Sequence, residues 1–328
     1  MGNLRGGVPV WLVFLSISLL VLPVFLSGVY ADRVVTTIPT GIPESGIATN
    51  PVTNRIYVAD HSTSSVTVID GSTRKIVARV HVDGSPYSLA TNPATNRVYV
   101  VHFTPFCGNS NGIVSVIDGS RNVVVAKVTV GTCPFDVAVN PATHRVYVSD
   151  PLAGKVFVID SSTNRVIGNV TVGEIYNLAV NPVTNRIYAQ YSCNVAVIDG
   201  SSNKVLTSIN VSCPLPSNDV TVNPDTNRFY VVARYSVEVF DGATNQRIAS
   251  IYPGCNAPQT TDIDRGTNKL YVDCINNKLL SIIDASTNNL LQTISLSDSP
   301  QDVGADPRTN LIYVAGTTSI IIVDGRQS

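Results

Sequence analysis

Short runs of alternating apolar and polar residues follow one another along most of the chain, and clusters of turn-forming residues separate them. In one stretch the pattern predicts four strands, at residues 88–91, 97–101, 113–117 and 123–130. The turns at 92–96 and 118–122 are rich in proline, asparagine, aspartate and glycine, which favour reversals of the backbone. Alternation of this kind is typical of short antiparallel strands with one buried face.

The turn sequence between the first and second predicted strands recurs seven times along the chain. Its copies begin at Asn50, Asn92, Asn140, Asn181, Asn223, Asp264 and Asp306, at intervals of 42, 48, 41, 42, 41 and 42 residues. A second phrase, VIDG or a close variant, recurs at the same spacing, with its acid at Asp70, Asp118, Asp160, Asp199, Asp241, Asp284 and Asp324. A fixed period of this length indicates a repeat architecture.

Four strands per repeat and seven repeats predict an all-β fold, a seven-bladed β-propeller with four antiparallel strands in each blade. The last repeat stops at residue 328 and lacks a fourth strand, whereas residues 33–39 match the pattern of the other fourth strands. An N-terminal strand that completes the last blade would close the ring and remove a bare sheet edge. Residues 32–328 are therefore predicted to form one domain.

The repeated phrases, NPVTNRIYV at 50–58 and VIDGST at 68–73, resemble those of the YVTN β-propeller repeat family. That family is known mainly from archaeal and bacterial surface-layer and secreted proteins. The resemblance covers the whole chain after residue 31 and implies a seven-bladed propeller in an exported or cell-surface setting, without implying any single reaction. The chain departs from the pattern at Leu311, in place of a basic residue, and at Arg265 and Gly266.

Residues 1–31 predict export. Arg5 precedes an apolar run at 8–26, and Val29 and Ala31 suit the small-residue rule of a signal peptidase site, which would leave Asp32 as the new terminus. An uncleaved anchor is the alternative, because the apolar run nearly reaches the ~20 residues that span a bilayer. Membrane contact is expected only through this segment. Charged residues make up 14% of the chain and the net charge is -1, so no electrostatic footprint for nucleic acid is visible.

Two further repeated positions are interpreted as scaffold. A tyrosine recurs in every copy, and we expect it to pack between blades; these residues are Tyr57, Tyr99, Tyr147, Tyr188, Tyr230, Tyr271 and Tyr313. A basic residue precedes it in six copies, and we expect it to pair with the turn aspartates; these residues are Arg55, Arg97, Arg145, Arg186, Arg228 and Lys269.

All six cysteines fall in loops after second or fourth strands, on one face of the predicted propeller. An exported chain with six cysteines favours disulfides. Proximity of these loops around the ring predicts three bridges, Cys107 with Cys133, Cys193 with Cys213, and Cys255 with Cys274. Zinc ligation is the alternative, although no CxxC spacing occurs.

The same face carries residues that vary between copies, at the start of each innermost strand. One position holds Gly46, Ser88, Asp136, Asn177, Asp219, Thr260 and Asp302, and the preceding one holds Ser45, Tyr87, Phe135, Tyr176, Asn218, Gln259 and Gln301. This mixture of acids, aromatic rings and amides predicts a ligand site at the channel mouth. It suits a polar ligand with an apolar face, such as a glycan, or a calcium ion on Asp136, Asp219 and Asp302. Hydrogen bonding at strand ends together with blade packing is the alternative.

The sequence favours a binding or structural surface protein with a glycan or surface protein as partner. The four histidines are scattered, and no GxSxG, HExxH or CxxCH motif occurs. A propeller lyase or hydrolase that acts on a carbohydrate or lactone with the acidic rim is the enzymatic alternative.

Two glycosylation sequons, beginning at Asn169 and Asn210, lie in predicted fourth strands. These strands are the outermost of their blades, so a glycan could project outward if the host attaches one. Both asparagines are therefore predicted modification sites.

Overall fold

A computed structural model describes residues 31–41, 44–103, 111–212 and 219–326, together with residue 2. Apart from residues 2 and 31, the predicted signal segment lies outside the described residues. The part of the chain from Ala31 to Gln327 forms one compact unit. Its strands are β1 (Arg33–Pro39), β2 (Glu44–Asn50), β3 (Arg55–Asp60), β4 (Ser65–Asp70), β5 (Lys75–His81), β6 (Ser85–Asn92), β7 (Arg97–Phe103), β8 (Gly112–Asp118), β9 (Val123–Val130), β10 (Val137–Asn140), β11 (Arg145–Asp150), β12 (Lys155–Asp160), β13 (Arg165–Thr171), β14 (Ile175–Asn181), β15 (Arg186–Tyr191), β16 (Asn194–Asp199), β17 (Lys204–Asn210), β18 (Val220–Asn223), β19 (Arg228–Val232), β20 (Val237–Asp241), β21 (Arg247–Ile251), β22 (Pro258–Asp264), β23 (Lys269–Cys274), β24 (Leu279–Asp284), β25 (Asn289–Ser295), β26 (Pro300–Asp306), β27 (Leu311–Gly316) and β28 (Ser319–Asp324).

These strands form seven antiparallel sheets of four strands, which are the seven blades of a β-propeller. Blade 1 consists of β2 to β5, and each following group of four strands makes the next blade, up to blade 6 with β22 to β25. The innermost strand of every blade contacts the innermost strands of both neighbours, including β2 with β26, so the ring is closed. Within the described ranges the one helical element is a 3-10 turn at Ile275–Asn277. The predicted fold is confirmed.

Blade 7 closes with a strand from the other end of the chain, as predicted. Its strand order is β1, β28, β27, β26, and β1 pairs antiparallel with β28 from Arg33 opposite Asp324 to Pro39 opposite Ser319. The alternation also predicted the strands of blade 2 closely, since β9 begins and ends as expected. The first strand is longer than predicted because β6 begins at Ser85, and this extension reaches the channel mouth.

The repeated turn sequence links neighbouring blades through side-chain amides. Asn50 Oδ1 accepts the backbone N–H of Val52 at 3.1 Å, while its Nδ2 donates to Asn96 Oδ1 in blade 2 at 3.0 Å. The turns end in a left-handed residue, here Asn54 with φ 52°, which asparagine tolerates. The same amide link joins Asn140 to Asn185, Asn181 to Asn227, and Asn223 to Asn268, at 2.9 Å each.

Three of the seven links are missing, and each absence has a visible cause. His144 stands where the acceptor asparagine is expected, and Nδ2 of Asn92 has no hydrogen-bond partner among the described residues. Asp264 and Asp306 carry no amide donor, and Oδ1 of Asn310 and Oδ1 of Asn54 are likewise without a partner in the described part of the chain. The amide ring is therefore open between blades 2 and 3, 6 and 7, and 7 and 1.

The seven repeated tyrosines lie between blades and are almost fully buried, which confirms their predicted role. Tyr57 of blade 1, for example, packs among Leu89, Val98 and Ile117 of blade 2. Its hydroxyl reaches the turn of that blade, where a Cβ on Gly119 would lie 2.6 Å from the hydroxyl oxygen. Glycine in the repeated Asp-Gly turn therefore leaves room for the neighbouring tyrosine.

The repeated basic residues pair across their own blade in four cases, as predicted: Arg55 with Asp70, Arg97 with Asp118, Arg145 with Asp160, and Arg186 with Asp199. In blade 5, Arg228 instead donates to the backbone oxygen of Ala285 at 2.7 Å. In blade 6, Lys269 pairs with Asp32. Leu311 of blade 7 is buried in an apolar cluster with Ile47 and Ile56.

Every outermost strand contains a register shift at the same place, and one aliphatic residue is left without an opposing partner. Six of these side chains are exposed by 39% to 52%. They are Val77, Val125, Ile167, Leu206, Ile248 and Leu291, with Val35 as the half-buried seventh. Bulges twist a strand locally, so this feature discourages the outer edges from pairing with other sheets.

A disulfide joins Cys255 to Cys274, as predicted, with 6.2 Å between their Cα atoms. Cys133 and Cys193 are disulfide-bonded as well. Their predicted partners, Cys107 and Cys213, lie outside the described residues. Both sequon asparagines, Asn169 and Asn210, are exposed on outermost strands, as expected for accessible acceptors. No helix within the described ranges is long and apolar enough to span a membrane.

Candidate functional site at the channel mouth

A pocket of about 270 Å³ lies where the innermost strands begin, and all seven blades contribute to its wall. Its walls consist mainly of the residues that vary between repeats. The lining residues are Ser45, Gly46, Ile47, Tyr87, Ser88, Leu89, Phe135, Asp136, Asn177, Leu178, Asp219, Val220, Thr221, Gln259, Thr260, Thr261, Asp262, Gln301, Asp302 and Val303. Twelve of the fourteen predicted positions are thus brought together at one end of the channel.

Irregular strand pairing explains how two successive residues of one blade can reach the same pocket. In a regular strand, successive side chains point to opposite faces. In blade 2 the pairing of β6 with β7 shifts between Pro86 and Ser88, which leaves Tyr87 as an extra residue. Ser45 and Gln301 occupy the equivalent position in blades 1 and 7. Bulges re-aim side chains in this way.

The acids on blades 3, 5 and 7 each tie their own blade to the next one around the ring. Asp136 Oδ2 accepts the backbone N–H of Leu178 in blade 4 at 2.8 Å. In the same way Asp219 accepts the N–H of Thr261 in blade 6 at 2.9 Å. The third acid closes the pattern across the end of the ring, since Asp302 accepts the N–H of Ile47 in blade 1 at 2.8 Å. We call these three contacts the inter-blade staples.

The staple carboxyls have unusual acidities because the protein shields them from water. Burial, together with the charges of Asp136 and Asp262, raises the pKa of Asp219 to about 7. Burial also raises the pKa of Asp262 to about 6 and that of Asp136. For Asp302 the pKa lies well above its usual range, first because of burial and then because of the charges of Asp219 and Asp273. Asp219 and Asp262 therefore take up or release protons near neutral pH, and burial holds the pKa values of Asp136 and Asp302 above their usual range.

Aromatic rings line one side of the mouth, as predicted. The centroids of Tyr87 and Phe135 are 5.0 Å apart, and those of Phe135 and Tyr176 are 5.3 Å apart. Two rings that the sequence did not indicate extend the row outward: Phe103 lies 6.0 Å from Tyr87, and His61 lies 5.8 Å from Phe103. Phe103 ends the second strand β7 and His61 follows the second strand β3, so neither lies at the start of an innermost strand, where the varying positions of the sequence are found.

The structure changes one predicted assignment, leaves one untested and adds one residue. Tyr176 does not line the pocket; its hydroxyl bonds to Glu174 at 2.5 Å, and its ring supports Phe135. Asn218 lies outside the described residues. Asp262 was not predicted, although it lines the pocket two residues beyond Thr260, and its Oδ2 accepts the N–H of Ala305 at 2.7 Å.

The predicted calcium centre is not formed by the acids in this structure. No group of three or more His, Cys, Asp or Glu side chains in the described part of the chain is placed so that it could hold a metal ion. Asp136, Asp219 and Asp302 accept backbone N–H groups instead, as the alternative of strand-end hydrogen bonding requires.

Chemically, the mouth combines aromatic rings, amides, hydroxyls and carboxyls around one pocket. Gln259 Oε1 and Thr260 Oγ1 are buried without a hydrogen-bond partner among the described residues. Buried polar atoms of this kind are usually satisfied by water or by a ligand. The arrangement can therefore bind a small polar molecule with an apolar face.

No protein-family model matches this chain, and the search of curated proteins also finds no match. Among solved structures, the chain is similar to hydrazine synthase of Kuenenia stuttgartiensis, with a TM-score of 0.74 and 19% identity over 93% of this chain and 100% of the other. At this identity the likeness shows the β-propeller fold alone. Membership of the YVTN repeat family stays a prediction.

Proposed function

We propose that the protein is an exported β-propeller that binds a small ligand at its channel mouth. The single observation that carries this proposal is the contrast between the two faces of the ring. The turn face repeats one set of residues, whereas the mouth holds a pocket of about 270 Å³ with a different residue set on each blade. The inter-blade staples explain the acids among these residues, but they do not explain the rings of Tyr87 and Phe135 or the buried Gln259 Oε1, which has no hydrogen-bond partner among the described residues.

A thermal-shift screen of the purified protein tests ligand binding. The panel contains neutral glycans, calcium and small charged metabolites, and a glycan or surface protein is the expected natural partner. A ligand should raise the melting temperature, and Tyr87→Ala should abolish that rise. Tyr252→Ala is the matched control, because Tyr252 is 58% exposed and does not line the pocket. A panel without any binder, or binding that Tyr87→Ala leaves intact, would contradict the proposal.

Export has separate support in the sequence. The basic and apolar pattern of residues 1–31 is typical of a signal peptide, and the oxidised Cys255 and Cys274 suit an extracytoplasmic compartment. Protein recovered outside the cytoplasm should begin at Asp32 when its N-terminal sequence is determined. Recovery of an intact N-terminus in the membrane fraction would favour the anchor instead.

One observation favours a second candidate function, a lyase or hydrolase for carbohydrates or lactones. Asp219 has a pKa of about 7 inside the pocket, which is the range that suits a general acid or base. Turnover on a carbohydrate and lactone panel tests this function. Asp219→Asn should then remove turnover while substrate still binds, and a panel without turnover would leave the binding function alone.

A further inference from the structure

The channel-mouth pocket carries ionisable groups of one sign only. Its described lining residues include no lysine, arginine or histidine but four aspartates: Asp136, Asp219, Asp262 and Asp302. A fifth acid lies next to them, because the fully buried Asp273 accepts the N–H of Thr260 through Oδ1 at 2.6 Å. Its Oδ2 has no hydrogen-bond partner among the described residues. Carboxyls gathered in a shielded space repel one another when ionised.

The fold does not require this charge. The position that holds Asp136, Asp219 and Asp302 on three blades is neutral on the other four, which carry Gly46, Ser88, Asn177 and Thr260. Blades with neutral residues are packed into the same closed ring. The inter-blade staples thus account for the hydrogen bonds of the acids but not for their concentration of negative charge.

Aromatic rings share the pocket with this charge. Tyr87 and Phe135 are tilted by 54° to each other rather than stacked, and both line the cavity. The face of an aromatic ring is electrostatically negative and attracts cations, most strongly where water is excluded. Acids and ring faces therefore favour the same kind of ligand, whereas a neutral ligand gains nothing from the acids' charge.

We propose that the pocket binds a small organic cation, with an ammonium group directed to the aspartates and an apolar body against Tyr87 and Phe135. The assignment rests on the proposed binding function and names its ligand class. Charge complementarity selects this ligand over an anion, because the described lining residues offer no basic side chain.

Binding of a cation is coupled to proton release. Burial raises the pKa of Asp219 to about 7 and of Asp262 to about 6, so part of the site is protonated at mildly acidic pH. A bound cation favours the ionised carboxyls, hence affinity should rise with pH through that range. Among the described residues, the other ionisable groups at the site are Asp136, Asp273, Asp302 and Tyr87, with Glu174 and His61 at the ends of the aromatic row.

Calorimetric titration with choline and with its neutral isostere 3,3-dimethylbutan-1-ol tests the inference, because the two probes differ only in charge. At about pH 8 choline should bind at least about tenfold more tightly than the isostere. Near pH 5 this preference should shrink, and choline binding near pH 7 should release protons into the buffer. His61→Gln tests the imidazole at the end of the aromatic row, because an unchanged pH profile in this variant assigns the pH dependence to the acids.

Two variants report on the two parts of the site. Asp219→Asn should reduce both the preference for choline and its pH dependence. Phe135→Leu removes the ring but keeps apolar bulk, and it should weaken the binding of choline more than the binding of the isostere. This variant tests the site independently if Asp219→Asn fails to fold. Tyr252→Leu should change neither affinity, since Tyr252 lies outside the pocket.

Equal affinities for the two probes at about pH 8, or no choline binding, would overturn the inference. If choline fails but a neutral glycan binds in a manner that depends on Tyr87, the proposed binding function stands and only the ligand class is wrong. If no ligand of either class binds, both proposals fail.

Discussion

The carboxylate of Asp32 and the ammonium group of Lys269 form an ion pair in which each residue is only 4% exposed. The hydroxyl of Tyr271 donates to Asp32 Oδ2 at 2.7 Å, and the amide of Gln292 donates to the backbone oxygen of Asp32 at 2.9 Å. Asp32 precedes strand β1 of blade 7, whereas its three partners belong to blade 6. The N-terminal segment therefore fastens two blades together across a boundary where the amide ring is open.

Replacing Lys269 with methionine should destabilise the protein by about 3–5 kcal/mol, because it leaves a buried carboxylate without its counter-charge. Chemical denaturation measures the loss. Arg145→Met is the matched control, since Arg145 pairs with Asp160 at 3.5 Å near the surface, where such pairs contribute about 0–1 kcal/mol. Equal losses in the two variants would show that Lys269 is not acting as a buried counter-charge.

Deleting residues 32–40 should cause aggregation or misfolding, because it bares the edge of β28 in blade 7. Size-exclusion chromatography and thermal melting report the outcome. A synthetic peptide of residues 32–40 should restore the monomer when it is added during refolding. A soluble, monomeric deletion protein with unchanged melting would contradict the role of β1 in closure.

Changing His144 to asparagine should stabilise the protein by about 1 kcal/mol. The substitution supplies the acceptor that Nδ2 of Asn92 lacks, and asparagine suits the left-handed backbone at this position, where φ is 56°. The reverse change, Asn96→His, should break the link from Asn50 and cost a similar amount. A loss on Asn96→His without a gain on His144→Asn would mean that the turn of blade 3 cannot form the link.

Stability should fall as the pH rises from about 4 to about 7. In the folded protein the pKa of Asp219 is raised to about 7 and those of Asp262 and Asp273 to about 6. Between the unfolded and folded pKa values the folded state therefore binds more protons, so raising the pH favours unfolding. Protonation of buried His102, whose pKa is lowered to about 4, opposes part of this trend.

Asp219→Asn isolates the contribution of one carboxyl to that pH dependence. Over the same pH interval, the free energy of unfolding of the variant should fall by roughly 1–3 kcal/mol less than that of the wild type. Denaturant unfolding at several pH values measures the difference. Asp225→Asn is the control, because Asp225 is exposed, is held at a lowered pKa by Arg265, and should leave the slope between about pH 4 and 7 unchanged. Identical slopes in wild type and Asp219→Asn would show that Asp219 is ionised throughout.

Replacing Cys255 and Cys274 together with serine should lower stability by about 3 kcal/mol, as expected for a loop closed over a separation of 19 residues, and should leave the fold intact. Thermal melting with and without reductant measures the change, and the serine variant should respond less to reductant than the wild type. Non-reducing peptide mapping should find Cys133 linked to Cys107 and Cys193 linked to Cys213. Other pairings would contradict the predicted proximity of the loops that carry these cysteines.

The fold could be predicted because its determinants are local and repeated. Turn residues such as Asn50 and Asp70 cap their own turns, as Asp70 does for Ser72 and Thr73 at 2.9 and 2.8 Å, and the alternation fixes which face of each strand is buried. The sequence also predicted the pairing of Cys255 with Cys274, although Cys274 is the last residue of strand β23 and does not lie in the loop after it.

The role of the acids at the mouth was less predictable, because their hydrogen-bond partners are backbone groups of other blades. From the sequence, Asp136, Asp219 and Asp302 were expected to bind a ligand or a calcium ion, with hydrogen bonding at strand ends as the alternative. Each accepts a backbone N–H of the next blade, and no sequence pattern marks such an acceptor. The irregular pairing that leaves Tyr87 as an extra residue also breaks the simple alternation on which strand predictions depend.

The pairing of β1 with β28 also determines when the ring can close during synthesis. Strand β1 is among the first parts of the domain to leave the ribosome, yet the strand that receives it, β28, ends at Asp324 and is made last. The ion pair of Asp32 likewise cannot form until Lys269 has been synthesised. Throughout synthesis the earliest strand therefore stays unpaired, and ring closure is a single late event that takes place only when the whole chain is available.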